Sequence, residues 1–307
     1  MTTDDSRPIC DYEGSDYRTR FWQGTGRSYE DQVERIALRR LMPPTGDTLI
    51  DIGAGFGRLA TEYDGYQRVV LFDYSRSLLR EAQERLGDDP RFIYVAGNWY
   101  QMPFVPGLFD TMVQVRTIHH AADVPALFIQ LARIARPGGH YVLEFANKQN
   151  LKAILRYLLR RQEWSPFERQ PIEFVRLNFD FHPAWIRQQL KAAGFRLRRT
   201  QTVSHYRVPL LKRLVPTSIL VQMDRLVQLS GNWWQLSPSV FMLNQHPEHG
   251  PTAEPGQFFA CPTCGAPFAA LDSAATATAI LSCAQCGNRW AVEGGIYDFK
   301  EPLPPEE

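Results

Sequence analysis

The first half of the chain alternates between helical and extended hydrophobic patterns. Over Tyr29–Leu41, apolar residues recur three and four positions apart, which predicts an amphipathic helix that ends at Pro43 and Pro44. Short apolar runs predict strands at Thr48–Ile52, Arg68–Phe72, Phe92–Ala96, Thr111–Val115 and His140–Phe145. Helical patterns at Arg76–Leu86 and Val124–Ala135 separate several of these strands. This order predicts an α/β fold with a doubly wound, Rossmann-like parallel sheet.

The pattern after residue 150 is apolar and aromatic but less regular. The predicted elements are helices at Leu151–Arg161, Pro183–Ala193 and Leu210–Leu229, and strands at Phe195–Thr202 and Ser239–Asn244. Residues 163–181 show no clear period. We expect residues 150–181 and 205–236, which include Trp233 and Trp234, to form helical lid insertions over the carboxyl edge of the sheet.

Composition narrows the class of protein. The 307 residues suffice for one large domain or two domains, and an apolar content of 44% is enough for an ordinary core. No uninterrupted apolar run reaches the length of about 18 residues that a membrane-spanning helix needs, so none is predicted. The first ten residues, MTTDDSRPIC, are polar and acidic, unlike a secretory signal. We therefore expect a cytoplasmic protein.

Charge is distributed unevenly, although the net charge is only +1. Residues 151–213 contain 14 basic and 4 acidic side chains, whereas residues 248–307 contain 2 basic and 8 acidic ones. A basic stretch is usually a solvated face, but this one coincides with the predicted lid and bears on the substrate. We expect the acidic C-terminal segment to dock on this basic lid.

The stretch LIDIGAGFGRLAT, residues 49–61, runs from a buried strand through a glycine-rich turn into a predicted helix beginning near Arg58. Glycine tolerates positive φ and lets a ligand approach the backbone, and a helix start offers unpaired N–H groups. The next strand ends in Asp73, 20 positions after Gly53, where a ribose-binding carboxylate is expected. The pattern favours a nucleotide-type ligand. The alternative is an ordinary glycine-rich turn of another α/β domain.

Four of the five cysteines form two CxxC pairs near the C-terminus, and Cys10 is alone. The pairs are separated by 18 residues, a spacing typical of a zinc ribbon. The predicted metal ligands are Cys261, Cys264, Cys283 and Cys286. Four thiolates fill a tetrahedral site, so the Zn²⁺ would be structural. A degenerate ribbon without metal is the alternative. The predicted domains are residues 1–247 and the ribbon 258–307, joined by a linker at 248–257.

From Tyr29 to about Gln245 the chain resembles the class I S-adenosylmethionine-dependent methyltransferases, in particular the ubiquinone-biosynthesis-like group. Asp51 and the three glycines after it match motif I, and Asp73 matches the acidic end of the second strand. Residues 133–139, RIARPGG, match the turn before the fifth strand. The tail at residues 290–299 resembles the small zinc-ribbon activator of tRNA and translation-factor methyltransferases, fused here to the larger domain.

The resemblance implies S-adenosylmethionine as the cofactor. The residues that it places around this cofactor are Asp51, Gly53, Gly55, Gly57, Asp73, Asn98, Trp99, Val115 and Arg116. Asp73 would accept hydrogen bonds from both ribose hydroxyls, and Trp99 would flank the adenine. Asn98 stands where the family often has aspartate and would pair with the adenine edge. Tyr17, Trp22 and Tyr29 are candidates to cover the sulfonium, with packing against the core as the alternative.

His119 and His120 follow the fourth strand, where the transferred methyl would lie. Either histidine could take a proton from the substrate nucleophile. The alternative is a structural or cofactor-lining pair, because alignment of the nucleophile with an activated methyl supplies much of the rate without a base. Glu144 and Asn147 are weaker candidates on the same rim.

The resemblance therefore implies an S-adenosylmethionine-dependent methyltransferase that acts by direct displacement on a small, partly apolar acceptor. One alternative is an RNA or translation-protein methyltransferase, which the ribbon and the basic stretch favour. Against it, residues 116–119 read Arg-Thr-Ile-His where an Asn-Pro-Pro-Tyr-type motif would stand. A second alternative is a non-catalytic cofactor-binding module. The sequence indicates neither the acceptor atom nor the oligomeric state.

Overall fold

The computed structural model describes residues 7–15, 27–268 and 278–304. Its helices are α1 (Ser28–Leu41), α2 (Arg76–Leu86), α3 (Val124–Ile134), α4 (Leu151–Leu158), α5 (Pro183–Ala192), α6 (Pro209–Leu214) and α7 (Thr217–Val227). Its strands are β1 (Gly46–Ile52), β2 (Tyr66–Asp73), β3 (Phe92–Gly97), β4 (Phe109–Gln114), β5 (Ala135–Ala146), β6 (Ile172–Val175), β7 (Asn178–Asp180), β8 (Arg196–Val203), β9 (Ser239–Gln245), β10 (Thr278–Ser282), β11 (Arg289–Glu293) and β12 (Ile296–Phe299).

Ten of these strands form one mixed sheet in the order β10-β11-β12-β3-β2-β1-β4-β5-β9-β8. The strands from β12 to β5 pair in parallel, as the sequence predicts for the centre of the sheet, and antiparallel strands complete both ends. Strand β1 pairs with both β2 and β4, so the chain order reverses beside it. In open α/β sheets, ligands bind at the carboxyl ends of the strands beside such a reversal.

Both faces of the sheet are buried, which explains the continuous apolar run in β1. Ile50 and Ile52 pack into the core on one face, and Leu49 packs into the core on the other. All three side chains have no exposed surface. A parallel strand covered on both sides needs apolar residues at successive positions rather than alternating ones. The rigid end of this strand carries Asp51 and the glycine turn.

The segment after the glycine turn departs from the prediction of a helix starting near Arg58. It contains a single 3-10 turn at Ala60–Glu62. The N–H of Tyr66 already bonds to the carbonyl of Tyr63 at 3.1 Å, where β2 begins. A chain this short between two paired parallel strands leaves no room for a longer helix.

The lid region also differs from its prediction at two places. The irregular residues 163–181 contain the hairpin of β6 and β7. The long helical stretch at residues 210–229 is divided into α6 and α7 at Pro216, which lacks the N–H that a continuous helix would use. None of the helices described here has the length and apolar character needed to cross a membrane.

The cysteine-bearing segment joins the sheet through its last strand. β12 pairs in parallel with β3, and Phe299 lies opposite Gly97. The ring of Phe259 stacks on Phe104 at 5.7 Å between centroids, within the same apolar core as the β-sheet. The boundaries at residues 247 and 257 stay a prediction, but the two parts share a sheet and a core.

The expected docking of the acidic segment on the basic lid is wrong. Asp298 forms an ion pair with Arg76 of α2, and the carbonyl of Gly294 accepts a hydrogen bond from Gln83 at 2.8 Å. Both contacts lie beside β3, whereas the basic stretch leads into β8 at the other end of the sheet. Strand pairing and aromatic packing, rather than charge attraction, therefore position the C-terminal segment.

Candidate active site

The glycine turn is held against β2 by backbone hydrogen bonds. The N–H groups of Gly53 and Ala54 both donate to the carbonyl of Phe72, at 2.7 and 3.1 Å. Gly53 has a φ of 74° and Gly55 a φ of 53°, values that an L side chain rarely adopts. Gly57 lies apart from them and faces α2, since a Cβ there would meet Leu86 at 3.3 Å.

Asp73 ends β2 directly beside this turn. Its Oδ2 accepts a hydrogen bond from the N–H of Gly55 at 2.8 Å, and its Oδ1 accepts one from Ser75 at 2.9 Å. Burial raises the pKa of Asp73, although these backbone donors oppose the shift. A carboxylate has about four lone-pair positions, so both oxygens can still accept from a vicinal diol.

A cavity, here called the Asp73 cavity, opens beside this carboxylate. It is lined by Gly53, Asp73, Gly97 and Trp99, among others, and the N-terminal residues Cys10 and Tyr12 cover it. Gly97 and Trp99 flank Asn98, whose Oδ1 accepts a hydrogen bond from the N–H of Tyr100 at 2.8 Å. Asn98 thus shapes the turn that presents Trp99. An acidic group beside an aromatic wall suits a nucleoside.

A second, smaller cavity adjoins the first across the glycine turn and includes Asp51, Gly55, Val115 and Arg116 in its wall. Asp51 is buried and accepts a hydrogen bond from the hydroxyl of Tyr63 at 2.8 Å. Burial raises the pKa of Asp51 to about 7, although Tyr63 and Arg58 oppose the shift. Most of the predicted cofactor residues thus line two adjoining cavities. Gly57 and Asn98 line neither cavity, but each is next in the chain to residues that do.

A buried ion-pair network that sequence reasoning missed lies beneath this turn. Glu34 of α1 pairs with Arg116 through Nε at 2.7 Å and with Arg58 at 3.0 Å. Burial alone would raise the pKa of Glu34, but the two guanidinium groups lower it below its ordinary value. Arg116 adopts a φ of 60°, and its N–H donates to Glu144 at 2.8 Å. The network ties α1, the glycine turn and the end of β4 together.

The histidine pair lies where the sequence predicts, at the end of β4. Nδ1 of His120 lies 2.7 Å from the carbonyl of Leu177, which can only accept, so Nδ1 carries the proton. Nε2 of His120 then accepts from the hydroxyl of Tyr12 at 3.0 Å. The ring of His119 lies 4.0 Å from that of His120. Burial lowers the pKa of both histidines, most strongly that of His119, so both are neutral near pH 7.

These histidines open onto a third cavity of about 260 Å³, here called the His119 cavity. Its other lining residues include Tyr12, Arg116, Glu144, Asn178, Arg207 and Pro238. It shares Tyr12 and His120 with the Asp73 cavity and Arg116 with the smaller one. Burial raises the pKa of Glu144, which also accepts a hydrogen bond from Ser239. The His119 cavity therefore offers a second molecule access to a ligand in the Asp73 cavity.

Several candidates from the sequence have other roles. Tyr29 is buried and donates to Asp224 at 2.6 Å, so it belongs to the core rather than to a ligand cover. Tyr17 and Trp22 lie outside the described residues. The amide of Asn147 bonds to the carbonyls of Gln235 and Ser237, so its donors are already occupied.

The four cysteines of the CxxC pairs converge on one point. Their sulfur atoms all lie within 4.8 Å of one another, with Cys261 3.7 Å from Cys286 and Cys264 3.5 Å from Cys283. A zinc ion with four thiolates at about 2.3 Å would separate the sulfurs by about 3.8 Å. The N–H groups of Gly265 and Gly287 bond back to the first cysteine of each pair, at 2.8 and 2.9 Å. Donor type, number and spacing fit Zn²⁺.

Comparison with known proteins identifies the central part of the chain. Residues 50–143 match the family model described as "Methyltransferase domain". These residues form a methyltransferase domain. The match includes the glycine turn, Asp73 and the histidine pair, and it ends at β5, before Glu144 and the lid. The family evidence therefore covers the cofactor half of the candidate site, whereas much of the His119 cavity comes from residues outside the matched range.

The methyltransferase domain has curated relatives with named acceptors. A 24-methylenesterol C-methyltransferase 2 of Arabidopsis thaliana is 25% identical over 137 residues, covering 42% of this chain and 38% of that protein. A demethylmenaquinone methyltransferase of a Roseiflexus species is 28% identical over 148 residues, covering 47% and 58%. The chain thus spans less than two thirds of the length of these relatives.

The fold agrees with solved methyltransferase structures. A chain in the complex between the Haloferax volcanii Trm112 methyltransferase activator and a methyltransferase superposes with a TM-score of 0.51. It is 17% identical, and the match covers 73% of this chain and 94% of that one. This likeness shows that the class I methyltransferase fold extends beyond the residues that the family model matches.

Proposed function

We propose that this chain is an S-adenosylmethionine-dependent methyltransferase that acts on a small, partly apolar acceptor. The observation that carries the proposal is the junction of two cavities at the end of β4. The Asp73 cavity has the carboxylate, glycine backbone and aromatic wall that suit the cofactor, and the His119 cavity opens onto it through Tyr12 and His120. The sterol and demethylmenaquinone relatives support an acceptor with a large apolar portion.

Each group around the Asp73 cavity has a physical task under this proposal. S-adenosylmethionine supplies a methyl group activated by a positively charged sulfur. Asp73 would hold the ribose hydroxyls, and Trp99 would contact the adenine. The backbone of Gly53 and Gly55 leaves room for close approach of the cofactor.

His119 is the better candidate for a general base. Both ring nitrogens of His120 already have partners, Leu177 and Tyr12. His119 lines the acceptor side of the cavity, and its lowered pKa keeps the imidazole neutral and able to accept a proton near pH 7. His120 would instead position Tyr12 and the hairpin that contains Leu177. Alignment of the acceptor with the methyl group supplies the remainder of the catalysis.

We also propose that the four-cysteine cluster binds one Zn²⁺ with a structural role. All four ligands come from the protein, which leaves no coordination position for water or substrate. The ion would hold together the two turns from which β10–β12 extend, and it would take no part in methyl transfer.

The test of the proposed activity is methyl transfer from S-adenosylmethionine labelled in its methyl group. The full chain is incubated with cell extract separated into RNA, protein, lipid and polar small-molecule fractions. We expect label in the lipid fraction, which also holds the apolar small molecules of the extract. Label confined to RNA or protein would contradict the acceptor class, and binding of the cofactor without transfer to any fraction would favour a non-catalytic module.

A further inference from the structure

Helix α4 presents its apolar residues to solvent. Leu151, Leu155 and Leu158 are spaced four and three positions apart, which places them on one helix face. These side chains are 52%, 49% and 65% exposed, whereas the buried residue of this helix is the small Ala153. A surface helix of a globular protein normally turns such a stripe toward the core.

Helix α7 and the turn after it repeat this arrangement. Ile219, Met223 and Leu226 follow the same spacing and are 50%, 42% and 72% exposed. Trp233 and Trp234, which belong to the predicted lid, are 79% and 56% exposed. Large aromatic side chains at this level of exposure are rare on a surface that faces only water.

The start of α4 meets the loop that follows α7. The N–H of Leu151, at the start of α4, donates to the carbonyl of Leu236 at 2.8 Å. Leu236 is itself 41% exposed and follows Trp233 and Trp234 in the loop that leads from α7. We define the apolar face by Leu155, Leu158, Met223, Leu226, Trp233 and Trp234.

Basic side chains border the apolar face. On α4, Lys152 and Arg156 are exposed and stand one position beyond Leu151 and Leu155, so they form a parallel stripe. Arg225 is exposed beside Leu226 on α7. Apolar residues flanked by lysine and arginine are typical of helices that lie in the interfacial plane of a membrane. The charge of this border complements an anionic surface.

The His119 cavity is lined in part by segments that also carry exposed apolar side chains. Three of its lining residues, Asn178, Arg207 and Pro238, lie within three positions of exposed apolar residues, namely Val175, Val208 and Leu236. Leu177, in the turn between β6 and β7, accepts a hydrogen bond from Nδ1 of His120 through its carbonyl.

We propose that the apolar face docks on the surface of an anionic lipid bilayer and lies in the interfacial plane. Docking transfers the leucine and tryptophan side chains from water to the acyl boundary, and the bordering cations contact the lipid headgroups. The face goes beyond the proposed function. Vesicle binding can therefore fail or succeed independently of methyl transfer.

The test is co-flotation of the full chain with vesicles of phosphatidylcholine, with or without phosphatidylglycerol. We expect binding to the anionic vesicles and much weaker binding to the neutral ones. The double substitution Leu155→Gln and Leu158→Gln should weaken binding about tenfold or more, because two leucine side chains no longer enter the membrane. Lys152→Gln should weaken it about fivefold, the equivalent of about 1 kcal/mol for each basic residue.

Matched controls come from the other parts of the surface. Ile129 of α3 is 61% exposed, and Arg80 of α2 is exposed, so Ile129→Gln and Arg80→Gln should leave vesicle binding unchanged. Circular dichroism of each variant verifies folding. Equal binding by face and control variants, or no binding to anionic vesicles, would overturn the proposal. A stable dimer that the leucine substitutions dissociate would instead show that a second copy covers this face.

Discussion

The hydroxyl of Tyr12 lies 3.0 Å from Nε2 of His120, although the two residues are 108 positions apart. Tyr12 lines both the Asp73 cavity and the His119 cavity. The next residue, Glu13, accepts hydrogen bonds from the N–H groups of Arg76 and Ser77 at 2.7 and 3.1 Å. These contacts fix an N-terminal segment over the boundary between the proposed cofactor and acceptor sites.

Replacing Tyr12 with phenylalanine should slow methyl transfer but leave the affinity for the cofactor product nearly unchanged. The ring remains, but the hydrogen bond to His120 is lost, and such a bond is worth about 0.5–1.5 kcal/mol. We expect methyl transfer to slow roughly threefold to tenfold, while the affinity for S-adenosylhomocysteine changes less than about twofold. Steady-state kinetics and calorimetry on the same preparation test this. An equal loss in both measurements would show that Tyr12 mainly binds the cofactor.

His119→Gln should reduce kcat by about a hundredfold or more if His119 is the general base. Burial lowers the pKa of His119 well below its ordinary value of 6.5, so its imidazole is neutral at pH 6.5. The acid limb of the kcat profile should therefore lie below that pH and disappear in the variant. His120→Gln serves as the comparison and should retain the acid limb. Full activity of His119→Gln would show that His119 is not the general base.

Asp51 should make the ligand-free protein less stable as the pH rises. Its pKa is about 7 in the folded chain because of burial, above its ordinary value of 3.8. The folded state therefore binds more protons than the unfolded state between these values, and the free energy of unfolding falls as the pH rises from about 4 to about 7. Asp51→Asn should remove a loss on the order of 4 kcal/mol in this window.

Urea unfolding at several pH values measures this difference. Asp64→Asn is the matched control, because the side chain of Asp64 is 82% exposed. The control should follow the wild-type pH dependence. If Asp51→Asn follows it as well, Asp51 does not carry the pH dependence.

Removing the metal should affect more than the cysteine segment. The sequence alone predicts that the ribbon unfolds while cofactor binding persists. The structure changes this expectation, because β12 pairs with β3 and Phe299 lies opposite Gly97, which lines the Asp73 cavity. We expect one zinc per chain, and chelation should weaken the binding of S-adenosylhomocysteine. Elemental analysis and calorimetry test both points. Unchanged cofactor affinity after zinc removal would show that β3 keeps its conformation without the zinc-bound segment.

The parts of the site that the sequence predicts are local in the chain. The turn from Asp51 to Gly57 and the acidic end of β2 depend on a strand, a turn and a fixed spacing. All three can be recognised in the amino-acid sequence. The two CxxC pairs are similarly self-contained, and their sulfurs do converge. Local motifs of this kind report the chemistry that a segment can perform before its neighbours are known.

The parts that sequence reasoning missed depend on distant contacts. Glu34 meets Arg116 across 82 positions, and Tyr12 reaches His120 across 108. Nothing in the periodicity of α1 indicates that its buried glutamate has two guanidinium partners. The exposure of the Trp233 side chain could likewise not be predicted, because an aromatic residue in a predicted lid can face either the substrate or the solvent.

Binding of S-adenosylhomocysteine, measured by calorimetry, tests the central claim most directly. The wild-type chain should bind one molecule, and Asp73→Ala should weaken binding more than tenfold, since charge-assisted hydrogen bonds are worth about 1.5–3 kcal/mol. Asp64→Ala, an exposed carboxylate in the turn before β2, should bind like the wild type. No binding by the wild-type chain, or equal affinity in Asp73→Ala, would contradict the assignment of the Asp73 cavity to the cofactor.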